Sequence, residues 1–214
     1  MAVLVHGAMS DSRTWWQLGP LLADRGYRVL APDLRGHGLS PRARYATGIW
    51  GDDLPESLPT VIELAIGHSL GAQAIALAVD RLRPERAIYY EPAWQVGRDP
   101  GIADTFRRRK GASAEQIEAE HPTWASDQIE REVQILQAWD VTTVAALTTT
   151  ADYTPHLPVV PSLVQLARPS AMVSDELAGR LRSRGFAVRS MPSADHSAHR
   201  SDATAFLAAL RGWV

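Results

Sequence analysis

Gly67-His68-Ser69-Leu70-Gly71 is the stretch of this 214-residue chain with the clearest chemical content. An apolar run, Val61-Ile62-Glu63-Leu64-Ala65-Ile66, leads into it, and Ala72-Gln73-Ala74-Ile75-Ala76-Leu77-Ala78-Val79 follows. The order is strand, sharp turn, helix, with a serine at the apex. A serine so placed stands in a strained turn with its hydroxyl exposed, and the flanking glycines let strand and helix approach closely. The bare pattern G-x-S-x-G arises by chance in about one chain in fifteen of this length when Gly and Ser are each ~7% of residues. The strand-turn-helix setting is what gives it meaning. The chemistry it suits is nucleophilic: Ser69 attacks an electrophilic carbon once a neighbouring base takes its proton.

A nucleophile needs a scaffold, and the hydrophobic pattern supplies one. Short apolar runs at 2–5, 27–31, 62–66, 86–90, 162–166 and 186–191 read as strands. Helical segments at 14–25, 72–83, 175–184 and 203–213 alternate with them. Alternation of this kind predicts an α/β fold: a mostly parallel, doubly wound sheet of about six strands with helices on both faces. Ligands in such sheets bind beyond the carboxyl ends of the strands. His6-Gly7, Pro32-Asp33, the serine turn and Glu91-Pro92 all stand at those ends. Residues 94–152 break the rhythm and contain no strand pattern. Ser113-Ala114-Glu115-Gln116 is a capping box, and Ile129, Val133 and Leu136 recur at helical spacing. The division is therefore a core of residues 1–93 plus 153–214 and a helical cap or lid of 94–152.

Bulk properties narrow the function classes. A hydrophobic fraction of 45% and a charged fraction of 21% are ordinary for one globular core. A net charge of −2 gives no general attraction to nucleic acid or anionic membranes. With no cysteine there is no disulfide, thiolate metal site or cysteine nucleophile. The histidines lack metal-ligand spacing and no phosphate-cradling glycine loop occurs, so neither a metal nor a cofactor is expected. The opening Met1-Ala2-Val3-Leu4-Val5-His6-Gly7 has no basic segment before its short apolar run, and no stretch approaches a membrane span. A cytoplasmic protein is the expectation.

The chain resembles the α/β-hydrolase superfamily over nearly its whole length. The resemblance rests on Val5-His6-Gly7-Ala8, on Ala31-Pro32-Asp33-Leu34-Arg35-Gly36-His37-Gly38-Leu39-Ser40, on the serine turn, and on Ser193-Ala194-Asp195-His196 before the last helix. It implies Ser69 as nucleophile, His196 as general base and the backbone amides of Ala8 and Leu70 as an oxyanion hole. His199 is the competing base. The family's usual aspartate position falls on Ser170, which cannot stabilise an imidazolium by charge. Some members carry the acid one strand earlier, and here that place is Glu91. Asp175 and Asp152 are the alternatives, and Asp195 would need a strained geometry. Met9 and Trp94 are expected to line the substrate pocket.

Structural roles are expected for His6, Asp33, Arg35, His37, His68, Trp15 and Trp16. The run Arg107-Arg108-Arg109-Lys110 reads as a solvated face, with attraction of an acidic substrate as the other possibility. Relative to the family the first two strands are missing, which makes 27–31 an edge strand and a homodimer thinkable. The implied activity is hydrolysis of a small ester or related carbonyl compound without a cofactor. The alternatives are C–C hydrolysis, perhydrolysis or lyase chemistry at the same site, or a non-catalytic pocket that holds a ligand.

Overall fold

A computed structural model describes residues 1–46, 48–95, 101–149, 152–192 and 194–214, with the side chains of Ile102 and Thr149 left aside. Ser193 of the last motif thus lies outside the described residues. Six strands form one parallel sheet: β1 (Ala2–Val5), β2 (Val29–Leu30), β3 (Leu64–His68), β4 (Arg86–Tyr90), β5 (Ser162–Arg168) and β6 (Ala187–Pro192), in the order β2-β1-β3-β4-β5-β6. Successive side chains on a strand point to opposite faces, and both faces here are covered. Val3, Val5, Ala65, Ala87, Tyr89 and Val164 enter one core. Ala2, Leu4, Leu64, Ile66, Ile88 and Leu163 enter the other.

Helices α1 (Leu18–Ala23), α9 (Ala198–Ser201) and α10 (Ala203–Ala209) supply residues to the second core; α2 (Ile49–Ser57), α3 (Leu70–Leu82) and α8 (Asp175–Ser183) supply the first. The continuous helix expected at 14–25 is broken into a 3₁₀ turn, Ser12–Trp15, and α1. Pro20 explains the break: with no N–H it fits only the first turn, so the helix must begin just before it. The strand expected at 27–31 keeps only two residues, since Pro32 cannot donate to a ladder. The periodicity signal misses α2 because Gly51 and Pro55 dilute it. Trp50 and Leu54, four residues apart, nonetheless bury one face of α2 in the first core.

Between β4 and β5 come α4 (Ile102–Lys110), α5 (Ala114–Glu120), α6 (Ser126–Ala138) and α7 (Thr143–Thr149). The capping box opens α5: Ser113 Oγ accepts from the Gln116 amide at 3.4 Å, and the Ser113 amide donates to Gln116 Oε1 at 2.9 Å. Ile117, Trp124, Ile129 and Leu136 form a separate small cluster for this segment. Lys110 Nζ donates to the carbonyls of Leu136 and Gln137, both at 2.8 Å, and of Trp139. A cation is thereby placed on the unsatisfied carbonyl end of α6. At the stem, the Tyr153 amide donates to the Trp94 carbonyl at 2.8 Å.

Backbone crowds backbone where α3 leaves β3. A Cβ on Gly67 would lie 2.6 Å from the Ala72 backbone, and one on Gly71 would penetrate the Val5 carbonyl. Both neighbours are backbone and cannot rotate aside. Gly71→Ala should therefore destabilise the fold by about 3 kcal/mol, the upper end of ordinary overpacking, as measured by urea unfolding.

Candidate active site

Three adjacent strands leave the sheet through residues with left-handed backbone: Met9 after β1 (φ 56°), Ser69 after β3 (φ 52°) and Glu91 after β4 (φ 44°). Such a conformation is costly for a residue with a side chain and persists where the surroundings impose it. Around Ser69 they do. Its amide donates to the Tyr90 carbonyl at 3.0 Å, and its own carbonyl accepts from the Gln73 and Ala93 amides, each at 3.2 Å. The serine is thus fixed at the start of α3 while stitched to the exit of β4.

Glu91 is fully buried. Its amide donates to the Gln165 carbonyl at 3.0 Å. Its carboxylate accepts from the Ala167 amide at 3.0 Å and the Ala171 amide at 3.3 Å, and Oε2 lies 3.5 Å from His196 Nδ1. Burial alone would push this carboxyl up. Hydrogen bonds from His196, Ser170 and Ala167 more than offset it, and the group lies below its ordinary value. Ser170, at the position where the family pattern calls for an aspartate, accepts from the amides of Met172 at 3.2 Å and Val173 at 3.0 Å. Its hydroxyl also helps hold the Glu91 carboxyl below its ordinary value.

The loop carrying His196 is held from below. His68 Nε2 donates to the His196 carbonyl at 2.8 Å, and the Tyr90 hydroxyl donates to the Asp195 carbonyl while accepting from the Ala198 amide at 3.3 Å. The expected packing role of His68 is therefore a specific brace, and Tyr90 is a second one that sequence reasoning missed. Burial, followed by the neighbouring His199, pushes the His68 imidazole well below its ordinary value, which keeps it neutral. His199 itself is buried against Trp15 and His68, with ring centroids 4.4 and 4.6 Å away, and neither ring nitrogen has a partner among the described residues. Asp195 accepts from the Ser197 amide and the Ser201 hydroxyl, both at 2.7 Å, and is committed to its own loop. Asp175 is 82% exposed and paired with Arg168 at 2.5 Å.

On the other side of Ser69, His6 closes the turn after β1. Its Nδ1 donates to the Gly7 carbonyl at 2.8 Å, and its Nε2 accepts from the Leu34 amide at 2.9 Å. Asp33 accepts from the amides of Ser12 at 2.7 Å and Leu39 at 2.8 Å, and Arg35 pairs with Asp53. His37 is buried beside His6, and burial followed by that neighbour lowers its pKa to about 3. Leu70 is the first residue of α3, where amides have no partner within the helix. Ala8 and Leu70 both border the cavity that contains Ser69.

That cavity has a volume of about 540 Å³. Ser69, His196, Met9 and exposed Asp152 line it. Trp94 does not, which corrects the sequence expectation. The indole is fully buried against Tyr89 and Phe186, at centroid distances of 5.1 and 6.1 Å, and its neighbour Ala93 faces the cavity instead. Nor is the basic run a uniform solvated face. Arg107 pairs with Asp104 in solvent and Lys110 caps α6, but Arg109 turns into the cavity wall. Glu132 on α6 and Arg200 on α9 join it there, two residues with no local signature in the sequence.

The arrangement offers a hydroxyl at a strained turn, an imidazole on the same cavity and a buried carboxylate behind that imidazole. The sequence profile described as "Alpha/beta hydrolase family" matches residues 2–210. An alpha-hydroxynitrile lyase of Arabidopsis thaliana is 36% identical over 85 residues, which are 36% of this chain and 33% of that protein. A polyneuridine aldehyde esterase of Rauvolfia serpentina is 32% identical over 85 residues, 36% of this chain and 32% of that protein. The chain thus matches about a third of the length of these curated relatives. Among solved structures, an N-formylmaleamic acid deformylase from Pseudomonas putida S16 superposes with a TM-score of 0.80 at 22% identity, over 98% of this chain and 90% of that one.

Glu91 also sets a pH dependence. A carboxyl held below its ordinary 4.5 stabilises the folded state fully above that value, and the contribution is lost as pH falls through the lower folded value. The stability gap between wild type and Glu91→Gln should stay constant from neutrality down to pH 4.5 and close below it, in urea unfolding followed across pH.

Proposed function

The chain belongs to the alpha/beta hydrolase family, and we propose that it works as a serine hydrolase on a small ester or related carbonyl compound. In this reading Ser69 Oγ attacks the carbonyl carbon while His196 takes the hydroxyl proton. The Ala8 and Leu70 amides receive the oxyanion. Glu91 orients the imidazole and stabilises it once protonated. Collapse of the adduct breaks the bond to the leaving oxygen or sulfur, which takes the proton from His196 and leaves an acyl group on Ser69. A water then gives its proton to His196 and adds to the acyl carbon. The serine departs, recovering that proton, and the free acid is released. The helical segment between β4 and β5 acts as the cap over this chemistry.

The observation that carries the reading is the buried Glu91 carboxylate on His196 Nδ1, at 3.5 Å, with Ser69 and His196 on one cavity. Catalytic contacts of this length shorten when substrate arrives. The local likeness to an alpha-hydroxynitrile lyase favours a second reading, cofactor-free lyase chemistry on the same residues. A third, ligand holding without turnover, has no observation of its own.

Ser69→Ala should lower turnover of p-nitrophenyl acetate and butyrate by about 10⁴-fold or more and abolish labelling by a fluorophosphonate. Unchanged turnover, or labelling that survives, refutes the hydrolase reading. Cleavage of a hydroxynitrile by a wild type inert to esters selects the lyase. To identify the acid, Glu91→Gln should lower kcat by about 10³–10⁴-fold, while Asp175→Asn and Asp152→Asn leave it unchanged.

A further inference from the structure

We infer that Arg109 and Arg200 form a subsite for an anionic group, so that the preferred substrate carries a carboxylate on its acyl part; this rests on the hydrolase reading above. The two guanidiniums come from separate helices to one carboxylate, Arg109 from α4 and Arg200 from α9, four residues after His196. They are 17% and 12% exposed, and both line the cavity that holds Ser69. Between them lies one carboxylate, Glu132, which is 7% exposed. Its Oε2 is 2.5 Å from Arg200 Nη2 and its Oε1 is 3.5 Å from Arg109 Nη2.

Charge balance is what separates a ligand subsite from a structural clamp. A clamp needs one cation per buried carboxylate, and here two cations share Glu132. The other carboxylate on Arg109, Glu120, is mostly in solvent and does not line the cavity. Asp152 does line it, but is exposed, where water and salt weaken its effect. Arg200 also has spare donors: Glu132 engages only one of its nitrogens, and a guanidinium has five N–H groups. Its plane is fixed by stacking on Trp124, 4.8 Å from the ring centroid, with His121 stacked on the same ring at 3.9 Å. An immobilised, forked, always-charged donor suits a carboxylate. Burial followed by Arg109 pushes His121 below its ordinary value, so at neutral pH it adds no charge to this wall.

The test compares mono-p-nitrophenyl adipate with p-nitrophenyl hexanoate, which match in chain length and differ in the terminal carboxylate. Wild type should favour the adipate ester in kcat/KM by about 10- to 100-fold. Arg109→Gln and, separately, Arg200→Gln should each remove most of that preference, read as the ratio of the two esters within one variant. Adipate itself should raise the Tm of wild type and not of Arg109→Gln. Preference for hexanoate, or a ratio unaltered in both folded variants, overturns the subsite. If wild type turns over neither ester but adipate still raises its Tm through Arg109, the hydrolase reading fails while the anion site stands. If adipate neither binds nor competes, the anion site fails whatever the esterase activity.

Discussion

The buried carboxylate of Glu91 is the interaction on which the site depends. It bonds to the turn after β5 through the Ala167 and Ala171 amides, to Ser170, and to the imidazole of His196. Two chain segments, the turn after β5 and the loop of His196, therefore converge on one side chain that is buried from water. A carboxylate placed without partners in such surroundings would neutralise, and it is the ring of donors that keeps it charged. The residue just before it, Tyr90, faces the other side of the sheet and grips the same histidine loop through its hydroxyl. Strand alternation thus lets two consecutive residues hold one loop from two directions.

The left-handed residues at the ends of β1, β3 and β4 extend this logic. Each costs on the order of 1–3 kcal/mol and persists because its surroundings impose it, and the three stand side by side around the proposed chemistry. The elbow at Ser69 is tied to the exit of β4 by two backbone bonds, and its helix is pressed on the β1 carbonyls by Gly71. The sheet is a rigid frame whose strain is concentrated where its strands end, and the cavity opens on that edge.

Much of this was legible in the sequence, for physical reasons that vary by element. The strands show as apolar runs because the sheet is buried on both faces. The serine turn shows because backbone crowding leaves glycine alone at 67 and 71. The capping box at Ser113 and Gln116 is local and reads directly. Glu91 stands out through the family resemblance, since some members carry an acid at this strand end. Other features depend on contacts far apart in sequence. Arg109, Glu132 and Arg200 meet only after folding, and nothing near any of them announces it. The hydroxyl of Tyr90 reaches a loop 105 residues away. Trp94 misled because hydrophobicity near a site does not say which way a side chain turns. After the reversal at Glu91 the indole folds back onto Tyr89 and the core. Helix α2 was hidden by its own Gly51 and Pro55, and tertiary packing of Trp50 and Leu54 overrides that weak local signal.

The small cluster of Ile117, Trp124, Ile129 and Leu136 has an evolutionary consequence. Because these four residues pack with one another and apart from both sheet cores, replacements among them need not repack either face of the sheet. The elbow, by contrast, tolerates almost nothing: its two glycines abut main chain. Mutational freedom is therefore distributed unevenly, with a frozen reaction frame beneath a wall that lineages can rewrite. A fold partitioned in this way can diversify in what it accepts while inheriting unchanged the turn that holds its serine.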